Sequence, residues 1–80
     1  MDEVKINGIY RHFKGNYYIV ENLATSCEDE SILVIYRALY GENKLWVRSL
    51  KEFTSKVDKE KYPESKQTYK FELQEIASKY

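Results

Sequence analysis

The chain has little of the chemistry that usually marks an enzyme. Its 80 residues hold one cysteine, one histidine, one proline and three glycines. A lone thiol, Cys27, has no internal disulfide partner, and a lone histidine, His12, leaves no Cys/His set with zinc spacing. So few glycines supply no phosphate-cradling loop, and neither a paired His and carboxylate motif nor a nucleophile elbow is present. A non-enzymatic role is expected, with no catalytic residue, no metal and no cofactor. Cys27 stands beside Glu28, Asp29 and Glu30, which disfavour a reactive thiolate, so it reads as inert. The acidic run reads as a solvated loop, although its spacing of oxygens suits weak binding of a divalent ion.

Two further absences bound the class of protein. Lys plus Arg and Asp plus Glu both number 13, so no overall positive field draws the chain to nucleic acid, and any such binding needs a local patch. The longest apolar run, "ILVIY" at Ile32 to Tyr36, is the length of a strand and far short of a membrane span. The opening "MDEVKINGIY" has acidic residues and no apolar core of signal-peptide type, which gives the expectation of no export signal, no anchor and a cytoplasmic location. Eighty residues make a single domain, 1–80, close to the size at which stability becomes marginal.

What is present is aromatic and β-branched. "GIYRHF" (Gly8 to Phe13) reads as a short strand, followed by a turn at Lys14 to Asn16 and a longer strand at Tyr17 to Thr25. After the polar loop Ser26 to Ser31, a third strand spans Ile32 to Tyr40 and a fourth Lys44 to Ser49, joined by a turn at Gly41 to Asn43. Leu50 and Phe53 are spaced as one turn of helix, and "TSKV" ending at Val57 offers another extended piece. Four strands, a helical turn and a fifth strand predict a mostly β fold, either a small SH3-like barrel or a strongly bent antiparallel sheet of about five strands. The barrel core is assigned to residues 8–57 and a charged loop to 58–67. The remainder, 68–80, is an extra strand or helix: Tyr69, Phe71 and Leu73 alternate as in a strand, whereas Leu73, Ile76, Ala77 and Tyr80 share a helical face, and a strand over Thr68 to Leu73 is preferred.

The stretch "YRALYGENKLWVRSL" (Tyr36 to Leu50) concentrates the candidate binding residues, and the parity of its turn decides where they point. An even loop places Arg37 opposite Arg48, a like-charge pair that calls for an anion. An odd loop, with Asn43 in the left-handed conformation, gathers Tyr36, Ala38, Tyr40, Lys44, Trp46 and Arg48 on one face. The odd loop is favoured, leaving Leu33, Ile35, Leu39, Leu45 and Val47 as the expected core.

The pieces "YRHFKGNYYIV" (Tyr10 to Val20), "VIYRALYG" (Val34 to Gly41) and "LWVR" (Leu45 to Arg48), followed by Phe53, resemble the bacterial domain of unknown function 1653 family. The resemblance covers roughly Gly8 to Val57. It implies a small β-rich, SH3-like fold and attaches no activity. Ser26 and Cys27 stand where the family often has a histidine and a serine, and Ser49 stands where it often has proline.

Three kinds of role follow. The first is a binding module for nucleic acid or a nucleotide through Tyr36, Tyr40, Trp46 and Arg48, joined by Arg11 and Arg37, with His12 as a further phosphate contact. The second is a protein-interaction module, docking a peptide or self-associating through a strand edge. A sequestering protein for a small anion is a third expectation. Against all three stands the plain alternative that the tyrosines and Trp46 build the core of a small barrel.

Overall fold

A computed structural model describes residues 4–74 of the chain. Glycine and asparagine set the turns that order its strands. Gly15, at φ 113°, lets His12 accept the Gly15 N–H and turns β1 (Ile9–His12) back into β2 (Tyr17–Thr25). Gly41 and Asn43, at φ 59° and 55°, close the connection between β3 (Ile32–Ala38) and β4 (Leu45–Ser49). A four-residue helix, α1 (Leu50–Phe53), follows at once, and β5 (Phe71–Gln74) returns to pair with β1.

The sheet order is β4-β3-β2-β1-β5, antiparallel at every pairing. β4 and β5 are its two edges, so the sheet is open rather than closed into a barrel. The predicted strand at Thr54 to Val57 is reduced to one bridge, Lys56 to Tyr69, and the C-terminal strand begins at Phe71 rather than Thr68. Ile76, Ala77 and Tyr80, which suggested a helical face, lie outside the described residues.

The β3–β4 register settles the turn. Tyr36 faces Trp46, and Ala38 donates its N–H to the Lys44 carbonyl at 2.9 Å, leaving five residues, Leu39 to Asn43, in the loop. The loop is odd, as expected, but longer than the three residues assigned to it. The assignment of faces is corrected. Val34, Tyr36 and Ala38 are buried, whereas Leu45 and Val47 are 50% and 57% exposed and Leu39 is 43% exposed. The reason is coverage: β3 is apolar on both sides, and α1 and the segment leading to β5 pack on the Tyr36 side alone.

That side holds a predominantly aromatic core of Tyr10, Val20, Val34, Tyr36, Phe53 and Phe71. Phe53 and Phe71 stack at 4.2 Å with planes 10° apart, and Tyr10 and Tyr36 each meet Phe53 edge-on at 5.3 Å. Ser49 caps α1 by accepting the Glu52 N–H at 3.1 Å, which fixes the angle at which Phe53 enters. The charged loop is tied down by Gln67, a buried polar residue whose amide donates to the carbonyls of Arg11 and Tyr69 while accepting from Arg11 at 2.7 Å.

Phe53 is 1% exposed and touches both halves of the core. Phe53→Ala is expected to cost about 3–5 kcal/mol in urea unfolding, enough to leave a domain of this size partly unfolded at room temperature.

Candidate functional site

Alternation along the strands decides which side chains share the core side of the sheet. The pairs Tyr10 with Tyr18, Tyr18 with Ala38, and Tyr36 with Trp46 place all of these on that side, and Arg48, paired with Val34, joins them. His12 on β1 and Phe71 on β5 face one another in the same layer. Tyr40, in the loop after β3, reaches back so that its hydroxyl lies 2.8 Å from that of Tyr18.

Phe71 is the floor of the cluster. Its ring meets His12 at 4.8 Å, Tyr36 at 5.5 Å and Tyr18 at 5.7 Å, each edge-on, and the Arg48 guanidinium carbon lies 5.6 Å from its centroid. Arg48 is held in place by donating from Nε to the Tyr36 hydroxyl at 2.8 Å. One carboxylate, Glu52, serves two cations: Arg48 Nη1 at 3.8 Å and Lys70 Nζ at 3.2 Å from the same oxygen. The group therefore keeps an excess of positive charge, and Lys44, opposite Ala38, lies on the same side of the sheet.

His12 is fixed in its protonation as well as its position. Its Nδ1 accepts the Lys14 backbone N–H at 3.1 Å, so the neutral ring carries its proton on Nε2. Burial, then the charges of Arg48, Lys14 and Lys70, lower its pKa to about 4. The ring is neutral at physiological pH and offers one N–H. Tyr18 is pushed up to about 12, first by burial and then by its hydrogen bond to Tyr40. A hydroxyl pair uses one of its two protons internally and leaves the other to donate outward. His12, the tyrosine pair, Arg48 and Lys70 together form an array rich in donors, suited to an oxygen-rich anionic group. Trp46 and Tyr40, at 46% and 42% exposure, stand at its rim.

The structure brings together Tyr36, Tyr40, Trp46, Arg48 and His12, though Tyr36 is a core residue presenting only its hydroxyl. It separates Arg37 and Arg11, which lie on the other side of the sheet. Arg37 donates to Glu21 at 2.6 Å and to the Asn43 carbonyl, and Arg11 is engaged by Gln67. Adjacent residues of a strand cannot share a face, so "YR" in β1 and β3 splits each pair. Tyr18, Lys70 and Phe71 complete the cluster without a signal in the hairpin that pointed to them. In the acidic loop, Asp29 accepts from the Ser31 N–H at 3.0 Å, which holds its carboxyl below the usual range. Among the described residues no group of three or more His, Cys, Asp or Glu side chains is placed to hold a metal ion. No helix of the described residues is long and apolar enough to cross a membrane.

Open grooves also lie elsewhere among the described residues. One, of about 520 Å³, is lined by Leu50, Lys51, Thr54 and Tyr69 among others, and another, of about 430 Å³, lies along Phe13, Lys14 and Tyr62.

The depressed His12 pKa has a defined sign. The unfolded chain binds a proton near pH 6.5 that the folded chain refuses until about pH 4, so stability falls as pH drops through that window. Because His12 is the chain's sole histidine, its ring proton shifts in NMR should stay flat from pH 8 to about 5. His12→Gln should remove that contribution to the loss of stability between pH 6.5 and 4.

Comparison with known proteins adds the family. No curated protein matches the chain. A crystal structure of a DUF1653 protein from Bordetella bronchiseptica is 24% identical, with a TM-score of 0.75, and the match covers 100% of this chain and 99% of that one. At that identity the likeness shows the fold alone. The family model described as "Protein of unknown function (DUF1653)" matches residues 8–73, a span that includes every member of the cluster from His12 to Phe71. The chain belongs to the DUF1653 family.

Proposed function

We propose that this chain is a non-catalytic binding module that takes a nucleotide, or a short run of single-stranded nucleic acid, on the rim formed by Tyr40, Trp46 and Arg48. The observation that carries the reading is that Trp46 and Tyr40 are nearly half exposed on the same side of the sheet as Arg48 and Lys70. Exposed indole and phenol rings lose little on stacking against a base, and each such contact is worth about 1–3 kcal/mol. Arg48 and Lys70 share the single carboxylate of Glu52, so a phosphate competes with one partner for two cations. The Nε2–H of His12 and the free proton of the tyrosine pair add neutral donors that complement phosphate oxygens without requiring acid. With zero net charge, the affinity rests on this patch and not on a long-range field.

A protein-interaction role is the second reading, favoured by the exposed Leu45 and Val47 on the opposite side of β4.

The first reading is tested by titrating Trp46 fluorescence with an oligouridylate, an oligothymidylate and adenosine and guanosine nucleotides. Quenching is expected, with a log–log salt slope of about −1 to −2, as two phosphate contacts on a single strand require. Arg48→Gln, checked for folding by circular dichroism, should weaken binding by about tenfold or more. A Trp46 signal that no member of the panel shifts, at low salt, overturns the reading.

A further inference from the structure

Among the described residues, β4 is an edge whose backbone is unpaired on one side in a defined pattern. Because Ala38 donates to the Lys44 carbonyl, the closely bonded β3–β4 pairs are Ala38 with Lys44, Tyr36 with Trp46 and Val34 with Arg48. The N–H and C=O groups of Leu45 and Val47 therefore point away from the sheet, whereas the carbonyl of Ser49, the N-cap residue, is taken up by α1. Edges of this kind are normally blunted by a charge, a proline or a bulge. Leu45, Trp46 and Val47 offer none of these and are 50%, 46% and 57% exposed. The opposite edge, β5, carries Glu72 in the middle of its four residues.

We propose that two copies of this chain pair antiparallel through their β4 edges, about a two-fold axis at Val47, to make one continuous sheet. The backbone pattern limits the registers to those that pair outward-pointing residues, and charge selects among them. Centred on Val47, Val47 meets Val47 in a closely bonded pair, and Leu45 lies opposite Ser49 of the second copy, twice, with the Ser49 N–H left to donate. The same register sets Trp46 of each chain opposite Arg48 of the other, so that no like charges meet and the indole, which stacks on no ring of its own chain among the described residues, gains the arginine stem as a neighbour. Centring one position earlier, on Trp46, would oppose Lys44 with Arg48 in both halves, a like-charge clash. On the outer side of the sheet, Val47 meets its symmetry mate and Leu45 lies alongside. The two core-side rims are brought next to each other, so the dimer would present Trp46 and Arg48 from both chains in one strip. The pairing rests on the free β4 edge and not on the proposed ligand, although both involve Trp46 and Arg48.

Sedimentation velocity from low micromolar to millimolar concentration should give twice the chain mass at the upper end. Val47→Pro removes only an outward-facing N–H, which edge strands tolerate, and should weaken association by about a hundredfold while leaving the circular dichroism spectrum unchanged. In a Cys27→Ser background, Val47→Cys should form a disulfide-linked dimer under mild oxidation, because the axis brings the two residues within bridging distance, whereas Leu45→Cys should not. A parent chain that stays monomeric throughout the range, or Val47→Cys and Leu45→Cys cross-linking equally, overturns the proposal.

Discussion

The stack of Phe53 on Phe71 holds the molecule together. One ring comes from a helix of four residues and the other from the first residue of a strand of four, neither long enough to be stable alone. Joined at 4.2 Å, they fasten the end of the β3–β4 half to the β1–β5 half, and Tyr10, Tyr36 and Tyr18 then find their edges against one ring or the other. Arg48 lies over the face of Phe71, and His12 meets the same ring edge-on. The candidate site is thus built on the core, with its polar groups set on the same rings that exclude water beneath.

This arrangement also explains why the polar groups are held so firmly in a domain with little mass to spare. A tyrosine at the rim of a core contributes its ring to packing and its hydroxyl to recognition. Tyr36 does both, being 4% exposed while its hydroxyl accepts from Arg48. Positioning residues and core residues are the same residues here, so the chain needs no separate supporting layer.

Much of the fold was legible in the sequence because turn residues and β-branched runs are local signals. β2 spans Tyr17–Thr25 and α1 spans Leu50–Phe53, as the reading expected, and the parity of the β3–β4 loop followed from the tolerance of Asn43 for positive φ. The choice of core face was not legible. β3 carries Leu33 and Ile35 on one side and Val34, Tyr36 and Ala38 on the other, so hydrophobicity within the strand has no preference. The decision is made by what covers the sheet, and Phe71 comes from some thirty residues further along. For the same reason the hairpin revealed Trp46, Arg48 and Tyr40 as companions, while Tyr18 and Lys70 came from elements whose register no local pattern sets. Arg37 and Arg11 were drawn into the candidate set by composition and removed by alternation.

β2 contains one irregularity, between Val20 and Asn22, where Glu21 is passed over in the backbone register with β3. Before it, even-numbered residues such as Tyr18 and Val20 face the core. After it, the odd-numbered Leu23 and Thr25 lie on that side of the sheet, since they lie opposite Val34 and Ile32, although both are exposed beyond the reach of the core. The strand thus carries a counting device. Among descendants of this sequence, the loops at residues 26–31 and 58–67 are free to change length, but a gain or loss of one residue within β2 would turn half the strand inside out. Alignments of such chains should accordingly gather their gaps in those loops and keep them away from Glu21.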